Sequence, residues 1–423
     1  MAMSKLNKLY TDKQIAMSKL NKLYTDKQIE ILRETQKRDW FMLINHGAKR
    51  TGKTILNNDL FLRELMRVRD IADKEGVERP QYILAGATLG TIQKNVLIEL
   101  TNKYGLEFNF DKYNSFMLFG VQVVQTGHSK VSGIGAIRGM TAYGAYINEA
   151  SLAHEEVFDE IKSRCSGLGA RILVDTNPDH PEHWLLKDYI ENTDPKAGIL
   201  SYQFKLDDNT FLNDRYKESI KASTPSGMFY ERNINGKWVS GDGVVYADFD
   251  LNQNTITYDD LIKVPIKEYF AGVDWGFEHY GSIVLLGRGI DGNFYFIEEH
   301  AHQFKFIEDW VDIAKGIVAK YGNINFYCDT ARPEYITEFR RHGLRAINAD
   351  KSRLSGIEEV AKLFKQNKLF VLYEHMDRFK QEIYKYVWHP TNGEPIKEFD
   401  DVLDSLRYAI YTHTKPERLR RAK

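Results

Sequence analysis

The sequence predicts a two-domain α/β chain: a P-loop domain first, then a second α/β domain that carries aspartates at strand ends and on a late helix. Three observations predict it. The stretch "LINHGAKRTGKTIL", residues 43–56, puts a glycine-rich turn between an apolar run and an amphipathic helix. Strand-like runs ending in polar residues recur at "AYINEAS" and "ILVDTNP". From Tyr269 the strand pattern restarts, with an aspartate inside it.

A length of 423 residues exceeds one ordinary domain. A hydrophobic content of 43% with 13% aromatics is enough to build cores. The 58 basic and 59 acidic residues balance, so no global positive field points to nucleic acid and any such surface must be local. Two cysteines far apart, Cys165 and Cys328, argue for a reducing compartment and against a disulfide framework. No apolar run approaches a membrane span, and the N-terminus lacks a signal-type core. The expectation is a soluble, intracellular protein. "AMSKLNKLYTDKQI" stands at 2–15 and again, letter for letter, at 16–29. One copy is too short for a repeat architecture, so residues 1–15 are read as a duplication artefact.

Gly47 to Thr54 satisfies G-x-x-x-x-G-K-[ST]. Trp40 to Ile44 reads as a buried strand, and Leu56, Leu60, Phe61 and Leu65 recur at helical spacing after the turn. Backbone N–H groups and the helix dipole can then hold phosphate at Gly47 and Gly52. Lys53 is expected at the β and γ phosphates, and Thr54 on Mg²⁺. Lys49 and Arg50 are extra charges in the loop, open to a γ-phosphate sensor role or to solvent. Gln28, just ahead of the first core helix, can read an adenine edge or stand on the surface.

Tyr143 to Ile147 reads as a strand ending in Asn148-Glu149. Glu149 is expected to polarise the attacking water. Asn148 stands where a metal-binding aspartate is usual, which bears on magnesium affinity rather than on the chemistry. Arg138, in "GIGAIRGM", is open to three readings: an arginine finger on a neighbouring subunit's nucleotide, a DNA-phosphate contact, or a surface ion pair. Ile172 to Val174 is a further strand, ending in Asp175-Thr176-Asn177-Pro178, where a small polar group such as Asn177 can sense the γ-phosphate.

In the second half, "YFAGVDWGFEHYGSIVLLGRG" reads as strand, turn and strand, "GNFYFIEEH" as a third strand, and "NINFYCDTARPEY" as a fourth. In "EFDDVLDSLRYAIY" Val402, Leu403, Leu406, Ala409 and Ile410 share one helix face, with Asp401 and Asp404 beside it. Asp274, Asp329 and Asp404 come from distant points of the chain, as a two-metal nuclease requires. Hard oxygen ligands there would hold two Mg²⁺ or Mn²⁺ ions roughly 4 Å apart.

Taken together, "GAKRTGKT", "AYINEA", "ILVDTNP", "AGVDWGFEH", "FYCDTARPE" and "DDVLDSLRYA" resemble, in order and spacing, the motifs of the large terminase subunit of tailed double-stranded DNA bacteriophages. "GMFYERNINGKWVSGDGVVYADFD", 227–250, looks like that family's interdomain segment. The resemblance implies an ASCE-type ATPase domain at 16–205, a linker subdomain at 206–250, an RNase H-like, integrase-type nuclease domain at 251–415 and a basic tail at 416–423. It implies a motor in which ATP hydrolysis drives double-stranded DNA into a procapsid through a portal protein. It also implies a nuclease that cuts the concatemer, and a small terminase subunit that chooses sequence. Lys53, Thr54 and Glu149 match the family's ATPase positions, and Arg138 matches a finger position proposed for some members. Lys49 falls where several relatives carry a loop arginine. Asp274, Asp329 and Asp404 match the metal-binding trio, and Asp401 falls where some relatives have histidine. A homo-oligomeric ring, such as a pentamer, is expected on the procapsid, with a monomer for the chain alone, in the host cytoplasm. The tail "THTKPERLRRAK" and the cluster Arg340, Arg341 and Arg345 are open to DNA or portal contact and to plain solvation. Two other readings share parts of this pattern: an RNase H-like endonuclease or transposition protein with a regulatory ATPase, and a P-loop helicase.

Overall fold

The computed structural model describes residues 22–415. The segment 1–15 and the tail 416–423 lie outside the described residues. The chain divides into two compact units. One runs to Lys221 and takes in Glu231–Val239; the other comprises Ala222–Tyr230 and the chain from Ser240 onward. The stretch 206–250 is thus shared between the units.

The first unit is built on a seven-stranded sheet of β1 (Met42–Gly47), β2 (Gln81–Gly86), β3 (Ser115–Leu118), β4 (Val121–Gly127), β5 (Ala142–Ile147), β6 (Arg171–Thr176) and β7 (Ile199–Phe204). The order is β3-β4-β2-β5-β6-β1-β7. Every pairing is parallel except β3 with β4. Parallel strands covered on both faces read as continuous apolar runs, which is why β1 is buried along its whole length. The pleat sends Leu43 to one core and Met42 and Ile44 to the other. Helix α1 (Asp26–Lys37) precedes the sheet, α2 (Lys53–Glu75) follows β1, and α3 (Glu155–Arg164) follows β5. Leu56, Leu60, Phe61 and Leu65 of α2 are all buried, as their spacing predicts. The helix ends where Gly76 takes a left-handed conformation.

β1 begins two residues later than expected and runs to Gly47. Trp40 lies outside it, donating its indole N–H to Thr35 O at 3.1 Å, while pairing with β7 carries the strand on to Gly47. One strand, β6, separates the P-loop strand β1 from β5, which is the ASCE arrangement.

The second unit holds a six-stranded sheet of β8 (Ile266–Asp274), β9 (Gly281–Gly289), β10 (Phe294–His302), β11 (Asn325–Cys328), β12 (Arg345–Asn348) and β13 (Leu369–Val371), in the order β12-β11-β8-β9-β10-β13. β8, β9 and β10 form an antiparallel meander, and β11 and β12 extend it parallel to β8. This is the RNase H-like topology. Its helices are α4 (Ile307–Tyr321), α5 (Pro333–Arg341), α6 (Arg353–Lys365), α7 (Asp377–Glu382) and α8 (Asp401–His413). The five apolar residues expected to share a face of α8 are all buried. Among the described residues no helix is long and apolar enough to cross a membrane.

Candidate active sites

The turn between β1 and α2 is shaped by close backbone approach. At Gly47, φ is +130°, and a Cβ there would stand 2.1 Å from Phe204 O, so only glycine fits. Arg50 takes a left-handed φ of 60° and its carbonyl accepts Asn209 Nδ2 at 2.7 Å. The first turn of α2 carries no acidic residue, so its positive end is not neutralised from within. Beside it opens a cavity of about 510 Å³ lined by Lys49, Arg50, Thr51, Gly52, Lys53, Thr54, Glu149, Asp175 and Asn177, among others.

Lys53 is 6% exposed. Its ammonium donates to Gly47 O at 2.9 Å, to Ala48 O, and to Thr51 Oγ1 and Asn177 Oδ1 at 3.3 Å. It is thus folded onto its own loop, with Asn177 tied to it. Burial lowers its pKa to about 8, against the opposing pull of Asp175 and Glu149. Glu149 follows β5 with φ of 58°, a left-handed conformation that costs a side-chain-bearing residue about 1 kcal/mol or more. Hydrogen bonds hold it there: Glu149 N–H donates to Asp175 Oδ1 at 3.0 Å and Glu149 O accepts Leu152 N at 3.0 Å. Burial, then the Asp175 charge, raises its carboxyl above the usual glutamate range, while Lys49 and Lys53 oppose.

Sequence reasoning named Asp175 only as part of a strand end. In the structure it is the hub of the pocket. It is 2% exposed and accepts Tyr146 Oη at 2.7 Å, Asn148 Nδ2 at 2.8 Å and the Glu149 N–H. Burial raises its carboxyl above the usual aspartate range, against the lowering effect of the Glu149 and Tyr146 bonds and of Lys53. The available signal was an asparagine where a carboxylate is usual, with an aspartate at the end of the next strand.

Two expected roles are corrected, those of Gln28 and Asn148. Gln28 does not present a free amide to a base: Oε1 accepts Thr25 N–H at 2.8 Å in a capping box, and Nε2 donates to Gly52 O at 2.9 Å. It is buried and braces the P-loop. Asn148 does not face the cavity either. It is fully buried, donating to Asp175 and accepting Asn95 Nδ2 at 3.0 Å. Arg138 is exposed beside a short 3₁₀ turn anchored by buried Ile137, and does not line the cavity.

In the second unit, β11 lies beside β8 with Cys328 level with Val273, so Asp274 and Asp329 emerge side by side. Helix α8 lies on the same strands. A Cβ on Gly272 would stand 1.9 Å from Ser405 O, and Ser282 Oγ donates to Asp401 O at 2.9 Å. This close approach brings Asp404 to the Asp274 end of the sheet. Asp274 records the convergence: burial, then Asp404, Asp329, Asp401 and Asp400, raise its carboxyl well above the usual range.

The carboxylates converge without closing into a ligand set. Among the described residues no group of three or more His, Cys, Asp or Glu side chains has metal-holding geometry. Cations of the chain engage them instead. Lys351 Nζ pairs with Asp329. Arg407, 1% exposed, donates to Asp404 at 2.8 and 3.2 Å. Asp401, expected as an additional ligand, accepts Arg378 Nη2 at 2.8 Å, and Arg378 also holds Glu382, whose carboxylate accepts the N–H groups of Val402 and Leu403 at the start of α8. Of the basic cluster, Arg340 donates to Ala346 O at 2.9 Å and Arg341 pairs with Glu338.

Gly272→Ala tests the helix placement. The added methyl forces α8 off β8, with a stability loss of about 1–3 kcal/mol for overpacking. Thermal melts of the two proteins should show this loss, and an unchanged melting temperature would show that α8 does not need this contact.

Residues 46–253 match the family model described as terminase large subunit, T4likevirus-type, N-terminal. Among solved structures, the large terminase of a thermophilic bacteriophage in complex with ADP is similar at a TM-score of 0.77 and 23% identity, over 92% of this chain and 99% of that one. The same phage's protein in complex with ATP-γ-S gives 0.75 and 24%, over 91% and 98%. At these identities the likeness is one of fold, and it spans both units. A comparison with curated proteins finds no match.

Proposed function

We propose that this chain is a terminase large subunit, an ATP-driven DNA-packaging subunit that also cuts DNA. The observation that carries the reading is the gathering of Lys53, Thr54, Glu149 and Asn177 around one cavity at the unneutralised start of α2.

The pocket's residues divide the work. Backbone N–H groups of 47–54 and the start of α2 suit phosphate oxygens. Lys53 exchanges its loop carbonyls for the β and γ phosphates. Glu149, its carboxylate held at the cavity by the Asp175 bond to its backbone, orients and deprotonates the attacking water. Asn177, already on Lys53, links loss of the γ-phosphate to β6. Mg²⁺ held through Thr54 would neutralise the β and γ oxygens.

The second site's donor set fits hard divalent cations: it is all oxygen, largely buried and mutually repulsive without a cation. Two Mg²⁺ or Mn²⁺ ions would supply an activated water and a stabilised leaving oxygen. Asp274, Asp329 and Asp404 would hold them. Lys351, 41% exposed, can swing out of the way, while Arg407 keeps Asp404 aimed along α8.

Double-stranded DNA, a portal protein, a small subunit and a ring of copies on a procapsid in the host cytoplasm complete the proposal. Appearance of nuclease-protected DNA inside portal-bearing procapsids, dependent on ATP and on this chain, tests it. Cutting and ATP turnover without DNA uptake would favour a nuclease with a regulatory ATPase instead. In the assembled complex, Arg138→Ala should abolish DNA-stimulated ATP turnover while leaving nucleotide binding by the isolated chain intact. Unchanged stimulation would remove the trans-acting role of this exposed arginine.

A further inference from the structure

We propose that Asp175, on β6, is the carboxylate that serves the nucleotide-bound magnesium ion, in place of the acidic residue whose position Asn148 occupies. The inference rests on the ATPase reading above and names how that site is completed.

Sheet order makes the relocation possible. β6 lies between β1 and β5, with Asp175 level with Asn45 of β1 and Val174 level with Ile147 of β5. Asp175 is therefore beside Asn148 and one strand nearer the P-loop. It lines the cavity, which Asn148 does not.

The hydrogen bonds fit the same assignment. Thr54 lines the same cavity as Asp175 and offers a hydroxyl whose oxygen lone pairs suit a cation. That places a hard oxygen donor and a carboxylate together at the start of α2. Asn148 cannot fill the role, because its carbonyl oxygen accepts Asn95 and its amide nitrogen donates to Asp175. An aspartate at 148 would set two carboxylates within hydrogen-bond distance in a water-poor site, and one of them would have to stay protonated. An asparagine donates instead. With Tyr146 and the Glu149 N–H it favours the ionised form of Asp175. The negative charge of the site has moved one strand rather than disappeared. Because Asp175 also bonds Glu149 N–H, a cation drawn to it sits next to the residue that handles the water.

The test uses the full chain, a fluorescent ATP analogue and Mn²⁺ as a paramagnetic stand-in for Mg²⁺. Two variants are compared with wild type: Asp175→Asn, and the exchange Asn148→Asp with Asp175→Asn, which keeps one carboxylate and one amide facing each other. The expected result for Asp175→Asn is a rise of about tenfold or more in the Mg²⁺ concentration that half-saturates nucleotide binding, with metal-free nucleotide affinity unchanged. Nucleotide-dependent Mn²⁺ binding, read by electron paramagnetic resonance, should fall in parallel. The exchange variant, whose carboxylate stands at the buried position that does not line the cavity, should recover neither signal. If Asp175→Asn does not fold, the exchange variant decides alone. The assignment is overturned if metal dependence is unchanged in Asp175→Asn, if affinity falls equally with and without metal, or if the folded exchange variant binds metal as wild type does. Wild type that binds no nucleotide would overturn the ATPase reading itself, which separates the two failures.

Discussion

Glu149→Gln is expected to lower the rate of ATP hydrolysis by about 10²- to 10⁴-fold, the usual contribution of a positioned general base. Nucleotide binding should be retained, because the substitution touches neither the P-loop nor Lys53. The structure makes this a sharp expectation. Glu149 holds a strained left-handed backbone at the cavity, and its N–H bond to Asp175 is made by the main chain, so the amide variant keeps the turn. The loss should therefore fall on kcat. A matching loss in nucleotide affinity would mean that the residue shapes the pocket instead of acting on water, and steady-state turnover with direct binding of an ATP analogue separates the two.

Asp274→Asn should abolish metal-dependent DNA cleavage and, without metal, make the protein more stable. The wild-type carboxylate is half-buried against the charges of Asp404, Asp329, Asp401 and Asp400. Neutralising it removes a desolvated, repelled charge, a cost carried for function. Each 1 kcal/mol recovered would raise the melting temperature of a unit of this size by about 2–4 °C. Adding Mg²⁺ or Mn²⁺ should reverse the order: wild type gains stability by binding the ions, and the variant does not. Thermal melts with chelator and with each metal read this directly. A variant that melts lower in chelator, or that gains as much from metal as wild type, would show that Asp274 is a structural group.

These expectations draw unequally on what the sequence makes visible. The P-loop was legible because phosphate binding fixes residue types at fixed spacing within eight positions, and Lys53, Thr54 and Glu149 all line the cavity they were expected to line. β8 to β10 were legible because long apolar runs between turns leave few alternatives, and four-residue β11 because an aspartate closes its run, whereas β12 and β13, of four and three residues, carry too little pattern to register. Asp175 was hidden for a different reason. Its partners Tyr146, Asn148 and Glu149 stand at the end of β5, 26 to 29 residues away in sequence, and only the pairing of β6 with β5 brings them together. Gln28 misled because a glutamine amide suits a base and a backbone equally well, and the fold supplies Thr25 N–H and Gly52 O first. The cations on the second site divide the same way. Arg407 stands three residues from Asp404 on one helix and could have been paired by spacing. Lys351 and Arg378 lie 22 residues from Asp329 and 23 from Asp401, in other elements, and no local signal joins them. The interleaving of 222–239 between the two units is likewise a matter of long-range contacts.

The central claim is that one chain carries two separate chemical sites. The most direct test measures ATP turnover and plasmid cleavage side by side, with Mg²⁺ and with Mn²⁺, for wild type, Lys53→Ala and Asp274→Ala. The account predicts that Lys53→Ala cleaves without hydrolysing ATP, that Asp274→Ala hydrolyses ATP without cleaving, and that wild type does both. Wild type that cuts with neither metal, or Asp274→Ala that cuts normally, would contradict the nuclease site, and ATP turnover in Lys53→Ala at the wild-type rate would contradict the other.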